Sequence, residues 1–192
     1  MEGTKAYLKI PGDRIGALVG PEGSVKAAIE KRLSVGLQVD SQGGNVQITL
    51  PPTAEDPTVL FRAKEVVMAI GRGFAPNHAF RLLDDDETVF EVINLRETVG
   101  RSHSDLKRLK GRVIGKEGKT RRIIEELSEA NISVYGHTIS IIGHADQAAI
   151  AREAVRMLIR GSLHGTVYRF LHKKRRELKK QRLQLWEPSY KR

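Results

Sequence analysis

Gly111-Arg112-Val113-Ile114-Gly115-Lys116-Glu117-Gly118-Lys119-Thr120, running on into Arg121-Arg122-Ile123-Ile124, is the stretch on which the reading of this chain turns. Two glycines flank a dipeptide, an apolar pair precedes them and a basic helical run follows, which predicts a sharp helix-to-helix turn. Glycine carries no steric penalty in such a turn and lets another backbone come close. The second helix presents free N–H groups there, in a field made positive by the helix dipole and by Lys116, Lys119, Arg121 and Arg122. The pattern is that of a phosphate seat.

Two chemistries use such a seat. Gly118-Lys119-Thr120 matches the end of a nucleotide-binding P-loop, but that motif needs a glycine where Val113 stands. The other is the GxxG loop of a KH domain, which clamps single-stranded nucleic acid along about four backbone nucleotides. Val113-Ile114-Gly115-Lys116-Glu117-Gly118 resembles it. Short glycine patterns recur by chance, so the surrounding order of elements has to decide.

Working outward, Ala6 to Ile10 alternates as a half-buried strand, and after Pro11-Gly12 a short helical piece, Asp13 to Val19, enters Gly20-Pro21-Glu22-Gly23. A helix with Val25, Ala28, Ile29 and Leu33 follows, then a strand with Val35, Leu37 and Val39 on one face. Gly43-Gly44 turns the chain into Val46–Leu50, a hairpin partner. From Pro57 to about Gly73 apolar residues recur at helical spacing. The order is strand, helix, helix, strand, strand, helix. It then repeats: at an offset of 95, Gly16 falls on Gly111, Leu18-Val19-Gly20 on Val113-Ile114-Gly115, Glu22-Gly23 on Glu117-Gly118, and Leu37 and Val39 on Ile132 and Val134. After a shorter second hairpin the offset becomes 88, and Ala63, Glu65, Val67, Arg72 and Gly73 meet Ala151, Glu153, Val155, Arg160 and Gly161. Phe80-Arg81 and Leu83 likewise meet Tyr168-Arg169 and Leu171. The chain is an internal duplication of about 90 residues.

The copies differ in charge. Residues 1–88 carry 10 Lys/Arg against 12 Asp/Glu, a net of −2, and residues 89–192 carry 23 against 11, a net of +12, so a polyanion should meet the second copy. Pro21 stands where the second loop has Lys116, and only Lys26 follows closely. The first copy is therefore expected to bind RNA weakly, through Gly20, Gly23 and Lys26, or to serve as a partner surface. The second copy also has an insertion from Asn94 to Lys110, which predicts an extended helix capped by Ser104 or Asp105. Beyond Gly161 comes a basic helical arm whose start alone should pack; its Lys173, Lys174, Arg175 and Arg176 are candidate phosphate contacts, and it ends in Trp186 and Tyr190.

Absence of cysteine excludes disulfides, thiolate metal sites and a cysteine nucleophile. The histidines lack zinc-ligand spacing. Asp84-Asp85-Asp86-Glu87 reads as a charged linker rather than a magnesium site, and Ser102-His103-Ser104-Asp105 has the letters of a catalytic triad without a reason for its geometry. No apolar run approaches the roughly 20 residues needed to span a bilayer, and Met1-Glu2-Gly3 does not begin a secretory signal. A cytoplasmic protein without catalytic residues, metal or cofactor is expected.

The phrase Lys110 to Glu125, with Ser133-Val134-Tyr135-Gly136, Ile141-Ile142-Gly143 and His164-Gly165-Thr166-Val167-Tyr168, resembles the archaeal KH-domain assembly factors of the small ribosomal subunit, relatives of the eukaryotic partner-of-Nob proteins. The resemblance is dense over residues 90–180 and looser over 6–83. It implies an α+β fold of two tandem type I KH domains, each a three-stranded antiparallel sheet with three helices on one face, at 1–87 and 88–163, with a basic extension at 164–192. It also implies a non-enzymatic protein holding the 3′ end of small-subunit rRNA, with a Nob-type endonuclease and the alpha subunit of the archaeal translation initiation factor as partners. Its RNA site is expected at Arg112, Gly115, Lys116, Glu117, Gly118, Lys119, Arg121 and Arg122, with Tyr135 placed outward on its strand to stack a base. Where KH domains usually have an apolar groove residue this chain has Arg121, whose guanidinium would stack on or hydrogen-bond a base instead. The alternatives are an assembly scaffold that binds protein only, and a phosphate-processing enzyme using the Gly-Lys-Thr turn, which the missing glycine and the lack of βαβ alternation disfavour.

Overall fold

Alternating polar and apolar residues give the first strands one wet and one dry face. In the computed structural model, which describes residues 3–54 and 56–186, β1 (Thr4–Lys9), β2 (Gly36–Val39) and β3 (Asn45–Leu50) pair antiparallel in the order β1-β3-β2. Leu37 sits opposite Ile48 and Val39 opposite Val46. Val46, Ile48 and Leu50 point into the core, while Tyr7 is 68% exposed on the opposite face. A 3-10 turn at Gly12–Arg14 enters α1 (Ile15–Val19), a second at Pro21–Gly23 enters α2 (Ser24–Leu33), and α3 (Val59–Gly71) follows the hairpin. Ile15, Leu18, Ile29, Val67 and Ile70 bury these helices on the sheet. Two one-turn helices, α4 (Pro76–Ala79) and α5 (Arg81–Asp84), carry the chain onward.

The same order recurs in β4 (Thr88–Asn94), α6 (Arg96–Val99), α7 (His103–Ile114), a 3-10 turn at Lys116–Gly118, α8 (Lys119–Ser128), β5 (Asn131–Tyr135), β6 (Thr138–His144) and α9 (Ala145–Ile159). Its sheet runs β4-β6-β5, all antiparallel, with Phe90 opposite Ile142 and Ile132 opposite Ile141. The inserted segment is the short α6 plus two extra turns of α7. The cap of α7 is Ser102 rather than Ser104 or Asp105: its hydroxyl accepts the Asp105 N–H at 3.4 Å. A cap must stand one residue outside the helix to reach the amide three residues on, and only Ser102 does.

The two sheets are covered differently. Helices α7, α8 and α9 lie on one face of the second sheet, and the first copy lies on the other: Phe74 meets Phe90 edge-to-face at 6.5 Å, and Ile142 belongs to the first copy's apolar core. Every residue of β6 from Thr138 to Gly143 is consequently buried, whereas β3 alternates because its far side is open. The layers run sheet, helices, sheet, helices. At the junction Asp84 pairs with Arg32 at 2.8 Å, Asp86 with Arg62 at 2.7 Å and Asp85 with His144 at 3.2 Å, so the acidic run is a tied linker.

The last element, α10 (His164–Trp186), buries Val167 and Leu171 against the second core. Further along it lies on α8, with Arg175 at 3.8 Å from Glu126 and Arg182 at 3.1 Å from Glu129. Tyr190 and the rest of 187–192 lie outside the described residues, as does the side chain of Trp186. Among the described residues no helix is long and apolar enough to cross a membrane.

Candidate nucleic-acid interface

Helix α7 stops at Gly115, whose N–H still donates to the Gly111 carbonyl at 2.8 Å. Gly115 has φ +72° and ψ 178°, a region open to glycine, and a Cβ there would lie 2.2 Å from Thr120 Oγ1 and 2.9 Å from its amide nitrogen. Glu117 follows in the left-handed region at φ 53°, and Gly118 at φ 75° opens α8. Arg122 holds this turn, donating from Nη2 to the Glu117 carbonyl at 2.8 Å. The first loop repeats the backbone, with Gly20, Glu22 and Gly23 at φ 75°, 51° and 78°, but lacks both cations: Pro21 replaces Lys116 and Ala27 stands where Arg122 would be.

Lys116 and Lys119 are exposed and have no hydrogen bond or ion pair among the described residues. Beside them lies a groove of about 440 Å³ between α8 and β5, lined by Ile114, Gly118 and Arg121 on one wall and Ile132 and Val134 on the next. Arg121 reaches across it, donating from Nη1 to the Ile132 carbonyl at 3.3 Å with Glu125 3.7 Å away. Glu125 in turn accepts the Ile132 N–H at 2.8 Å, as Glu30 accepts that of Leu37 at 2.8 Å in the first copy. Lys26, the counterpart of Arg121, lies 4.0 Å from Glu30. A guanidinium has five N–H donors, so the bond to Ile132 leaves most of Arg121's capacity for a ligand.

Two residues expected at the RNA make their bonds within the protein. Arg112 lies behind the loop and caps α9, with Nε on the Leu158 carbonyl at 3.0 Å and Nη2 on that of Ser162 at 2.6 Å. Arg14 makes the same pair of bonds to Ile70 at 2.9 Å and Phe74 at 2.6 Å. It does so from one helical turn earlier, which is why the offset of 95 does not align the two arginines. Tyr135 is turned to the first copy, where its hydroxyl donates to the Asp13 carboxylate at 2.6 Å. Burial, then the Asp13 hydrogen bond and charge, push its phenol above the ordinary value. Ser133 beside it donates to the Arg72 carbonyl at 2.9 Å. Gly73 makes this joint possible: at φ +97°, a Cβ there would lie 2.6 Å from Ser133 Oγ and 2.9 Å from Tyr135 Cβ.

The same joint supplies what the sequence reading missed. Gly73, Phe74, Ala75 and His78 of the first copy form a third wall of the second copy's groove. The one signal was the run Ile139-Ser140-Ile141-Ile142, too continuously apolar for a sheet with a wet face. On α10, Lys174 pairs with Glu177 at 2.7 Å and Arg175 faces Glu126, whereas Lys173 and Arg176 face solvent.

Comparison with known proteins gives a consistent picture. Residues 89–176 match the family model of the second PNO1 KH domain, described as a eukaryotic-type KH domain of type I. KH domain-containing protein MJ0443 of Methanocaldococcus jannaschii is 48% identical over 180 residues, covering 94% of this chain and 78% of that protein. RNA-binding protein pno-1 of Caenorhabditis elegans is 30% identical over 171 residues, covering 88% of this chain, which spans only 61% of the relative's length. The fold is similar, with TM-score 0.83 and 45% identity over 91% of this chain and 95% of the other, to a structure of the a/eIF2alpha-aDim2p-rRNA complex of Pyrococcus horikoshii.

Proposed function

Because the chain belongs to the KH-domain family of MJ0443, archaeal Dim2p and PNO1, we propose that it is a single-stranded RNA-binding protein of small-ribosomal-subunit maturation, acting in the cytoplasm. We read it as two tandem type I KH domains, 1–87 and 88–163, with a basic extension over 164–192, and place the main RNA site on the second. One observation carries the assignment: Lys116 and Lys119 stand unpaired at the crest of a Gly115–Gly118 turn held rigid by Arg122, directly beside a groove. The turn and its lysines take the sugar-phosphate backbone, and the groove takes unpaired bases, which Arg121 meets from α8 and His78 from the first domain. Arg112 and Tyr135 position the site from behind. Gly20, Gly23 and Lys26 and the arm residues Lys173, Lys174, Arg175 and Arg176 are secondary contacts, with Lys173 and Arg176 the freest.

The RNA is the 3′ end of the small-subunit rRNA, and the protein partners are the alpha subunit of the translation initiation factor and a Nob-type endonuclease. The relative crystallised with a/eIF2alpha and rRNA supports an rRNA ligand and the initiation-factor partner; the 3′ end and the endonuclease rest on the family resemblance. Labelled 3′-end RNA titrated into the wild type and a Lys116→Asp/Glu117→Asp variant across a salt series tests the reading. The variant should lose at least an order of magnitude in affinity with its fold intact, and the wild-type affinity should fall steeply with salt. Equal binding by both proteins would remove the RNA from the second loop.

A further inference from the structure

On the far side of the loop from the groove lies a second concavity of about 520 Å³, whose chemistry is carried by Arg108, Lys116, Lys119, Thr120, His164 and Tyr168. The groove takes Gly118, Arg121 and Glu125 from this region; the concavity takes Lys116, Lys119 and Thr120, so the loop is a ridge between the two. No carboxylate lines it. Asp105 stands only at its rim, 3.1 Å from Arg108, in a pair that is largely exposed on both sides. His164 donates from Nε2 to the Arg112 carbonyl at 2.9 Å and so braces the wall of the concavity. Tyr168 and Thr120 share a hydroxyl hydrogen bond at 3.0 Å that forms the floor. Helix α10 begins at His164, so the positive end of a 23-residue helix adds to the field.

The duplication tells whether the fold demands these groups. At the corresponding places the first copy has Pro21 for Lys116, Ser24 for Lys119, Val25 for Thr120, Pro76 for His164 and Phe80 for Tyr168. The first copy folds with these five groups exchanged for apolar or neutral ones, and Arg108 stands on turns of α7 that the first copy lacks. Their joint presence in the second copy is therefore chemistry added to the fold, and a concave set of hydrogen-bond donors and cations without a carboxylate suits a phosphate.

We infer that this concavity is a second phosphate seat, which takes a backbone phosphate of the same RNA strand outside the nucleotides whose bases fill the groove. It rests on the RNA reading above. The strand crosses the ridge at Lys116 and Lys119, and Arg108 receives the phosphate on the far side. The site contributes affinity and footprint length without reading sequence.

The test uses the full chain with three RNAs: a five-nucleotide oligomer sized to the groove, and the same oligomer lengthened by four nucleotides at one end or the other. Extension at one end should raise wild-type affinity several-fold. Arg108→Gln, a change at an exposed residue that leaves folding alone, should cancel that gain and lower the salt slope for the extended RNA by about 0.7 per phosphate lost, while the short RNA binds as before. Arg108→Lys should keep most of the gain, and Asp105→Asn, by freeing Arg108, should increase it. If the wild type binds the short RNA but gains from neither extension, or if Arg108→Gln weakens both lengths alike, the second seat is overturned. Failure of the wild type to bind any of the three RNAs would instead bring down the RNA reading on which it rests.

Discussion

Replacing Gly115 by alanine would put a methyl 2.2 Å from Thr120 Oγ1 in a backbone conformation that side chains do not adopt, whereas the same change at Gly118 meets nothing within 4 Å. Gly118→Ala should therefore cost only the left-handed penalty of about 1 kcal/mol, and Gly115→Ala roughly 3 kcal/mol or more, since clash and strain add; urea unfolding of the two variants checks the order. Tyr135 yields a prediction in pH. Its phenol is raised by burial and by Asp13, so the folded state holds the proton more tightly than the unfolded chain does. The stability it contributes is complete below about pH 10 and is lost as pH climbs through the raised value. Wild type should exceed Tyr135→Phe in stability by a constant margin at neutral pH, and the margin should shrink in alkali; a margin independent of pH would mean that folding does not raise the phenol.

Helix α10 is two things in one element. Its first two turns are core, since Leu171 is fully buried, and its far end is a solvated rod, since Leu183 is 69% exposed. Leu171→Ala should cost about 2–5 kcal/mol and Leu183→Ala less than about 0.5, as read from thermal or denaturant unfolding. The packing of the start was legible in the sequence, because apolar residues crowd there and the positions of Phe80, Arg81 and Leu83 foretell those of Tyr168, Arg169 and Leu171; that Leu178 also packs, against the expectation that the start alone would, was not. The strands and the glycine turns were legible for the same reason: periodicity and backbone demand are local and leave a trace in neighbouring letters. The cap of α7 was misread by two residues because Ser102, Ser104 and Asp105 are all competent caps, and only the helix start separates them. The bonds of Arg112 were not legible because its partners, the Leu158 and Ser162 carbonyls, lie some 50 positions away and a carbonyl has no letter. The Asp13 partner of Tyr135 was not legible because strand alternation says which face a side chain takes but not what covers that face.

The stacking of the two copies governs the whole molecule. Phe74 on one side and Phe90 with Ile142 on the other join the first core to the second sheet, and the bonds of Tyr135 and Ser133 seal its edge. Phe90→Ala should loosen both copies together: amides of β3 and β6 should lose hydrogen-exchange protection by similar amounts, by about 1–3 kcal/mol where exchange follows global opening. Loss confined to β6 would mean that the copies unfold independently. The shared wall of the groove follows from the same stacking, so under the proposed function the first copy would meet the RNA through His78 and Phe74 even where its own loop carries no cation. The near-identity of the two loops in φ has a meaning of another kind. Side chains on the first loop offer no grip on an anion while the peptide path beneath them matches that of the second, because the helices on either side depend on the shape of the turn and not on its charge. The first copy thus holds a spare socket, already formed, that a few substitutions around Pro21 and Ala27 would bring into use without disturbing the fold.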